Sequence, residues 1–324
     1  MQKTFSFLII VIIAVFLFSC NDEQVQLTQP DHRPLQPSLE KSAGNDIDMD
    51  RIAGLVANVN GMFEAAGSTV RLDEAWFFTV GHGTPEYQRL RTGSRWTYFN
   101  VSYVLDESDY TKDIPRADVD ATLVSAFDSW NDIENTGIIA SRIPDNKMNF
   151  DVLDGTFDHK TGSFDLIDVK SSILIDGFIY PVADIVVGGW VPEEYFSEGL
   201  GSADIIGVTW TFSDEDGNGD GYRDRLYVEQ FFNPAFNWTT SDAVYLDFNA
   251  PIDLESIAVH ENGHAHGLGH MGGPVGDNQP FKLQPNDKVF NPEAVMNPFY
   301  LGGEKRTPFG TDISALRTMY AQVH

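Results

Sequence analysis

In the stretch His260-Glu-Asn-Gly-His-Ala-His-Gly-Leu-Gly-His270, three histidines and one glutamate fall at spacings that suit a single metal ion. On a helix, His260 and His264 lie one turn apart and share a face. Glu261 projects about 100° around from His260, near enough to reach a water on the ion without binding the ion itself. Gly267 can take the left-handed conformation that ends a helix, so the chain can turn back and deliver His270 to the same point. Three neutral imidazoles leave Zn²⁺ its full charge and one open position for water, an arrangement suited to hydrolysis. A bare HExxH arises by chance in unrelated chains, whereas the added glycine and third histidine make this stretch specific. His266, two residues past His264, points about 200° away from the metal face and is expected to be structural. His82 and His324 carry no supporting pattern.

The elements that must position these residues can be read around them. Asp253 is a good N-cap for the histidine helix. Ile114-Pro115 opens an earlier helix whose stripe is Val119, Leu123, Phe127, Trp130 and Ile133. Trp96–Val104, Ala183–Val187, Ile205–Phe212 and Ala243–Phe248 read as strands, rich in β-branched and aromatic residues. A final helix spans Asp312–Ala321. Nearer the start, Ile47–Ala66 reads as a short helix with Ile52, Leu55, Val56, Val59 and Phe63 on one side, followed by a strand over Trp76–Val80. Alternating Phe150, Val152, Phe157, Phe164 and Ile167 predict inserted β-hairpins within about 144–180.

A second oxygen-rich stretch, Asp214-Glu-Asp-Gly-Asn-Gly-Asp-Gly-Tyr-Arg-Asp224, has ligand-type side chains at alternate positions and glycines that let the backbone curl. Asp216, Asn218, Asp220 and Asp224 share one register, with Asp214 entering in another, and Ca²⁺ is the expected ion. No glutamate closes the loop at its twelfth position, so it is not a full EF-hand. The competing reading is an acidic solvated turn.

The chain has 324 residues, 42% of them hydrophobic, ample for a core and consistent with one large domain or two modest ones. Its 48 acidic residues against 21 basic give a formal charge of −27, which repels nucleic acid and anionic membranes. The one cysteine, Cys20, excludes intrachain disulfides. A short basic start and an apolar run over Phe5–Phe18, too short to span a bilayer comfortably, read as a signal peptide over 1–19. Leu17-Phe-Ser-Cys20 resembles a bacterial lipobox, which implies lipidation at Cys20 and anchoring at the cell envelope, at the outer membrane or cell surface. The Gln-, Pro- and Asp-rich stretch 20–45 reads as a flexible tether. Segment 46–93 reads either as a removable pro-region or as part of the body, which occupies 94–324. Without a cysteine this segment cannot block a metal through a thiolate.

Taken in order, strand, Trp-bearing helix, strands, histidine helix, methionine turn and terminal helix resemble the matrixin branch of the metzincin zinc peptidases. Ile114-Pro-Arg-Ala-Asp-Val119, His264-Ala-His-Gly-Leu-Gly-His270, Met296-Asn-Pro-Phe-Tyr300 and Thr311-Asp-Ile-Ser-Ala-Leu-Arg-Thr-Met-Tyr320 carry the likeness, which covers roughly 95–324. The resemblance implies an α+β fold of metzincin type: a twisted, mostly parallel sheet with an antiparallel edge strand, an active-site helix, a Met-turn and a C-terminal helix. It implies a zinc endopeptidase acting on protein or peptide substrates, with His260, His264 and His270 on zinc and Glu261 as general base. Met296 would form an apolar floor beneath the ion. Val208, Thr209 and Trp210, within a strand segment running to Phe212, would form the edge that pairs with an extended substrate. Pro298 and Tyr300 would wall the pocket for the side chain after the cut. The chain departs from the family at Met271, in its long 271–294 link, in the inserted hairpins, and at a second zinc site for which only His159 lies near. A different class of function, a non-catalytic surface-binding lipoprotein stiffened by metals, competes with hydrolysis, as more weakly does a zinc hydrolase of non-peptide amides. The intact Glu261 favours hydrolysis, because a merely structural site has no use for a base.

Overall fold

Val119, Thr122, Leu123, Ala126, Phe127 and Trp130 recur at spacings of three and four, and they form the buried face of helix α2 (Arg116–Asn131). The same period buries Ile52, Leu55, Val59 and Phe63 of helix α1 (Met49–Ala65), with Val56 only partly covered. The computed structural model describes residues 47–80, 93–106, 110–144, 157–158, 163–164, 173–175, 178–179, 183–241, 251–274, 290–300 and 305–320. The expected signal peptide, Cys20, the tether, His82, His159, His324 and the Ala243–Phe248 strand lie outside these residues.

Eight strands form the main sheet. They are β1 (Arg71–Val80), β2 (Ser94–Arg95), β3 (Asn100–Leu105), β4 (Ile139–Arg142), β5 (Ile185–Trp190), β6 (Ile205–Asp214), β7 (Arg223–Phe232) and β8 (Phe299–Tyr300). Their order is β8-β1-β6-β7-β5-β3-β4, with β2 alongside β7. Every pairing is parallel except those of β6 with β1 and with β7. The fold is thus α+β with a mostly parallel sheet, as expected in outline.

One expectation fails in this sheet. The antiparallel strand β6 is not at the edge: β1 pairs with it from Arg71 to Thr79, on the side expected to be open. The cause lies in the N-terminal segment, whose strand carries the apolar run Ala75–Phe78 and buries Leu72, Glu74 and Phe78. A register shift between Leu72 and Glu74 fixes which of its residues face which side. Segment 47–80 and the body after residue 93 therefore contribute to a single sheet.

Two cores cover the two faces. On one side α1 packs against Val208, Trp210 and Phe212 of β6, with Phe63 meeting Phe212 edge-on at 6.1 Å. On the other, α2, the histidine helix α3 (Leu254–Ala265) and the C-terminal helix α4 (Gly310–Tyr320) enclose a second core. Strand alternation sends Val208 and Trp210 towards α1 and turns Gly207 and Thr209 towards α3. The inserted region holds two short antiparallel pairs, Phe157–Asp158 with Ser163–Phe164 and Ile173–Ile175 with Phe178–Ile179, in keeping with hairpins there. Among the described residues no helix is long and apolar enough to cross a membrane.

Candidate metal centre

Helix α3 begins where its sequence says it should. The Asp253 carboxylate accepts hydrogen bonds from Ser256 N at 3.0 Å and from Ser256 Oγ at 2.5 Å, and is itself paired with Arg306 at 2.6 Å. The helix ends in a Schellman turn: Gly267 at φ 96°, Gly267 N donating to His264 O and Leu268 N donating to Gly263 O, both at 2.9 Å. That turn swings the chain back, so His270 arrives beside the two helical histidines. The same turn points Leu268 O at His264 Nδ1, 2.8 Å away.

The three Nε2 atoms form a nearly equilateral triangle, with His260–His264 at 3.1 Å, His264–His270 at 3.2 Å and His260–His270 at 3.3 Å. Nδ1 of His260 faces Val295 O at 2.8 Å, as that of His264 faces Leu268 O. Carbonyls accept only, so both Nδ1 atoms carry the proton and both Nε2 atoms turn a bare lone pair inward. Burial, reinforced by the neighbouring rings, holds His260 and His264 well below the usual histidine range. Burial alone lowers His270 to about 3. Lone pairs of neutral rings packed this closely repel one another unless a cation sits between them. In a regular tetrahedron the edge is about 1.63 times the bond, so these edges correspond to bonds of roughly 1.9–2.0 Å, close to metal–imidazole lengths. This buried group could hold a metal ion; among the described residues it is the one cluster of three or more His, Cys, Asp or Glu with ligand atoms near enough to do so.

Neither a known protein family nor a curated protein matches the chain. What the site can do follows from its own geometry.

Glu261 is fully buried between α3 and β6. Its Oε2 accepts from Thr209 Oγ1 at 2.5 Å, while Oε1 is buried with no hydrogen-bond partner. Burial pushes the carboxyl up to about 8, against the Thr209 hydrogen bond, which lowers it. Oε1 is thus a buried acceptor available to a ligand, and Asn262 Nδ2 and His266 Nε2 nearby are likewise buried without a hydrogen-bond partner. Gly207 makes room for it: a Cβ there would come within 2.8 Å of Oε1.

Met296 is fully buried, and a Cβ on Gly263 would run into its Sδ, so the methionine underlies the helix between His260 and His264. Its turn is held by Asp312, whose carboxylate accepts from Val295 N at 2.9 Å, Met296 N at 3.3 Å and Phe309 N at 2.8 Å. Met271 N also donates to Met296 O at 2.7 Å. His266 lies apart from the three converging rings: its Nδ1 faces Asn262 O at 2.6 Å and its ring stacks on Trp130 at 5.9 Å.

Several partners are not visible in local sequence. Arg225 is fully buried and donates to His264 O at 2.6 Å and Ala265 O at 2.9 Å, placing a cation on the last carbonyls of α3. It also pairs with Glu74 at 3.0 Å, whose carboxyl burial raises to about 7 against the pull of Arg225. Trp76 and Phe78 lie on the histidines themselves. Strand β7 was not read from the sequence: Arg223-Asp-Arg opens it with charges, and Glu229 and Gln230 interrupt its apolar residues.

The remaining expected residues divide. Val208 and Trp210 face away from the histidines, Thr209 touches Glu261, and Pro298 and Tyr300 lie at β8, where Tyr300 pairs with Val80. In the acidic loop, Asp216 accepts from the amides of Gly219, Asp220 and Gly221, and Asn218 from that of Asp220. Asp220 is tied to Arg95 at 2.7 Å. The loop is curled as expected, yet it does not bring three acidic oxygens together at one point.

Proposed function

We propose that this chain is a zinc-dependent endopeptidase of metzincin type, matrixin-like in design. The observation that carries the proposal is the pairing of three inward lone pairs with one unpartnered buried carboxylate oxygen on the next residue. His260, His264 and His270 would hold zinc, which when bound would supply a Lewis acid for the scissile carbonyl and lower the pKa of water towards ~7. Glu261 takes a proton from the attacking water as its oxygen bonds to the carbonyl carbon. As the C–N bond breaks, Glu261 returns that proton to the leaving amine nitrogen. Thr209 holds the other carboxylate oxygen, so Glu261 does not have to be oriented anew in each turnover. A carboxyl raised by burial is suited to carry a proton through such a cycle.

The test compares a Glu261→Ala variant with the parent for zinc content and for cleavage of a denatured protein during long incubation. Zinc is expected to stay at about one per chain, with cleavage lost. Unchanged cleavage overturns the assigned base, and retained zinc with no cleavage by the parent, or by a Phe78→Leu form that loosens strand β1, favours the non-catalytic surface-binding reading. Export and lipidation at Cys20 belong to the same proposal, with the mass of the N-terminal peptide from membrane-extracted protein as their check. For the acidic loop we propose calcium, favoured by one observation: Asp224 Oδ1 is buried without a hydrogen-bond partner.

A further inference from the structure

Hydrolysis needs an extended peptide lying across the three histidines, and the structure already has one there. Strand β1 lies between β6 and β8, antiparallel to the first and parallel to the second. These are the strand and the wall expected to hold a substrate, and both are paired with this chain's own N-terminal segment. On the inward face of β1, Trp76 stacks flat on His264, with centroids 4.8 Å apart and planes at 10°, and meets His270 edge-on at 5.4 Å. Two residues on, Phe78 stacks on His260 at 3.8 Å. The Phe78 ring is buried and also stands edge-on to Tyr300 at 6.2 Å.

A strand with a purely structural role needs apolar side chains on its buried face. It has no need to lay two large rings on the histidines whose lone pairs converge. The opposite face supplies the anchorage. Asn60 of α1 clasps Leu72 through both its backbone groups, at 2.7 Å and 3.2 Å. At the bulge beside Leu72, Arg223 pairs with Asp73 at 2.8 Å. Helix α1 thus holds the strand from behind while its aromatic face covers the centre.

We infer that β1 is the chain's own pseudo-substrate: it fills the cleft as a peptide would, with Phe78 in the pocket between His260 and Tyr300, and must leave before another peptide can bind. This rests on the peptidase reading and adds its regulation. A tethered strand competes at the effective concentration of an intramolecular ligand, so the intact chain has low activity towards peptides in solution. No thiolate is required, because latency comes from backbone pairing and two aromatic side chains.

The experiment uses the full chain in three forms: the parent, Phe78→Leu, and Trp76→Ala with Phe78→Ala. Phe78→Leu keeps a buried apolar side chain and serves if the double variant folds poorly. With cobalt loaded in place of zinc, visible absorption is followed while a hydroxamate-terminated peptide containing phenylalanine is added. The variants' bands are expected to shift at hydroxamate concentrations that leave the parent's unchanged. With zinc, the variants should cleave a phenylalanine-containing peptide about tenfold or more faster than the parent. A band that shifts equally in all three proteins, or in none, overturns the inference. Bands that shift only in the variants, with no hydrolysis by any form, leave cleft occupancy standing and remove the peptidase reading.

Discussion

Gly263 sits between the two helical histidines, and replacing it with alanine tests how tightly the methionine turn underlies the metal helix. Two effects oppose each other. In a helix interior, alanine is better than glycine by about 0.8–1.0 kcal/mol. The new Cβ, however, would overlap Met296 Sδ and lie 2.9 Å from Trp130 Cζ2. Trp130 cannot swing aside freely, because its Nε1 donates to Val259 O at 2.8 Å. Overpacking of this kind costs about 1–3 kcal/mol, and with two side chains in the way the upper half of that range applies. The net expectation is a loss of about 1–2 kcal/mol, together with weaker metal binding as His260 and His264 are pushed apart. Gly54→Ala is the control: it sits exposed on α1 with nothing within 4 Å of its would-be Cβ. There only the propensity gain remains, up to about 1 kcal/mol. The assay is urea unfolding of the metal-free chain, followed by competition with a zinc chelator. A Gly263→Ala variant as stable as the parent would refute the packing argument.

Further predictions concern the partners of the site. Arg225→Met leaves Glu74 buried without its cation and should cost about 3–5 kcal/mol in chemical unfolding, with Glu74→Gln recovering part of the loss. Because Glu74 is raised to about 7, it is neutral well below that pH and charged above it, so the Arg225→Met penalty should grow between pH 5 and pH 8. A penalty that shrinks with rising pH contradicts the pairing. Thr209→Val removes the hydroxyl that holds Glu261; zinc content should stay, while kcat/KM in the Phe78→Leu background falls about tenfold or more. Calcium should raise the unfolding midpoint through the Asp214–Asp224 loop, and Asp224→Asn should abolish that rise; an effect of calcium that survives the substitution assigns it elsewhere.

The convergence of the three histidines was legible because its determinants are local. Asp253 caps α3, Gly267 turns the chain, and the His260, His264 and His270 spacing follows from helical geometry and one Schellman turn. The α2 stripe was legible for the same reason, since its period is written in six buried side chains. The failures around the site are mostly non-local. Pairing of β1 with β6 depends on residues far apart in sequence, and nothing in Val208–Phe212 reveals which strand will lie against it. Arg225 follows an acidic loop in sequence, yet it is buried, where it adds a charged donor to the His264 and Ala265 carbonyls. Glu74 was silent until that arginine gave it a partner.

X-ray absorption at the zinc edge on the purified full-length chain tests the central claim most directly. Three imidazole nitrogens at about 2.0–2.1 Å are expected, with the imidazole scattering reduced to two in a His270→Ala variant. Zinc bound by carboxylates alone, or a signal unchanged by losing His270, would contradict the assignment.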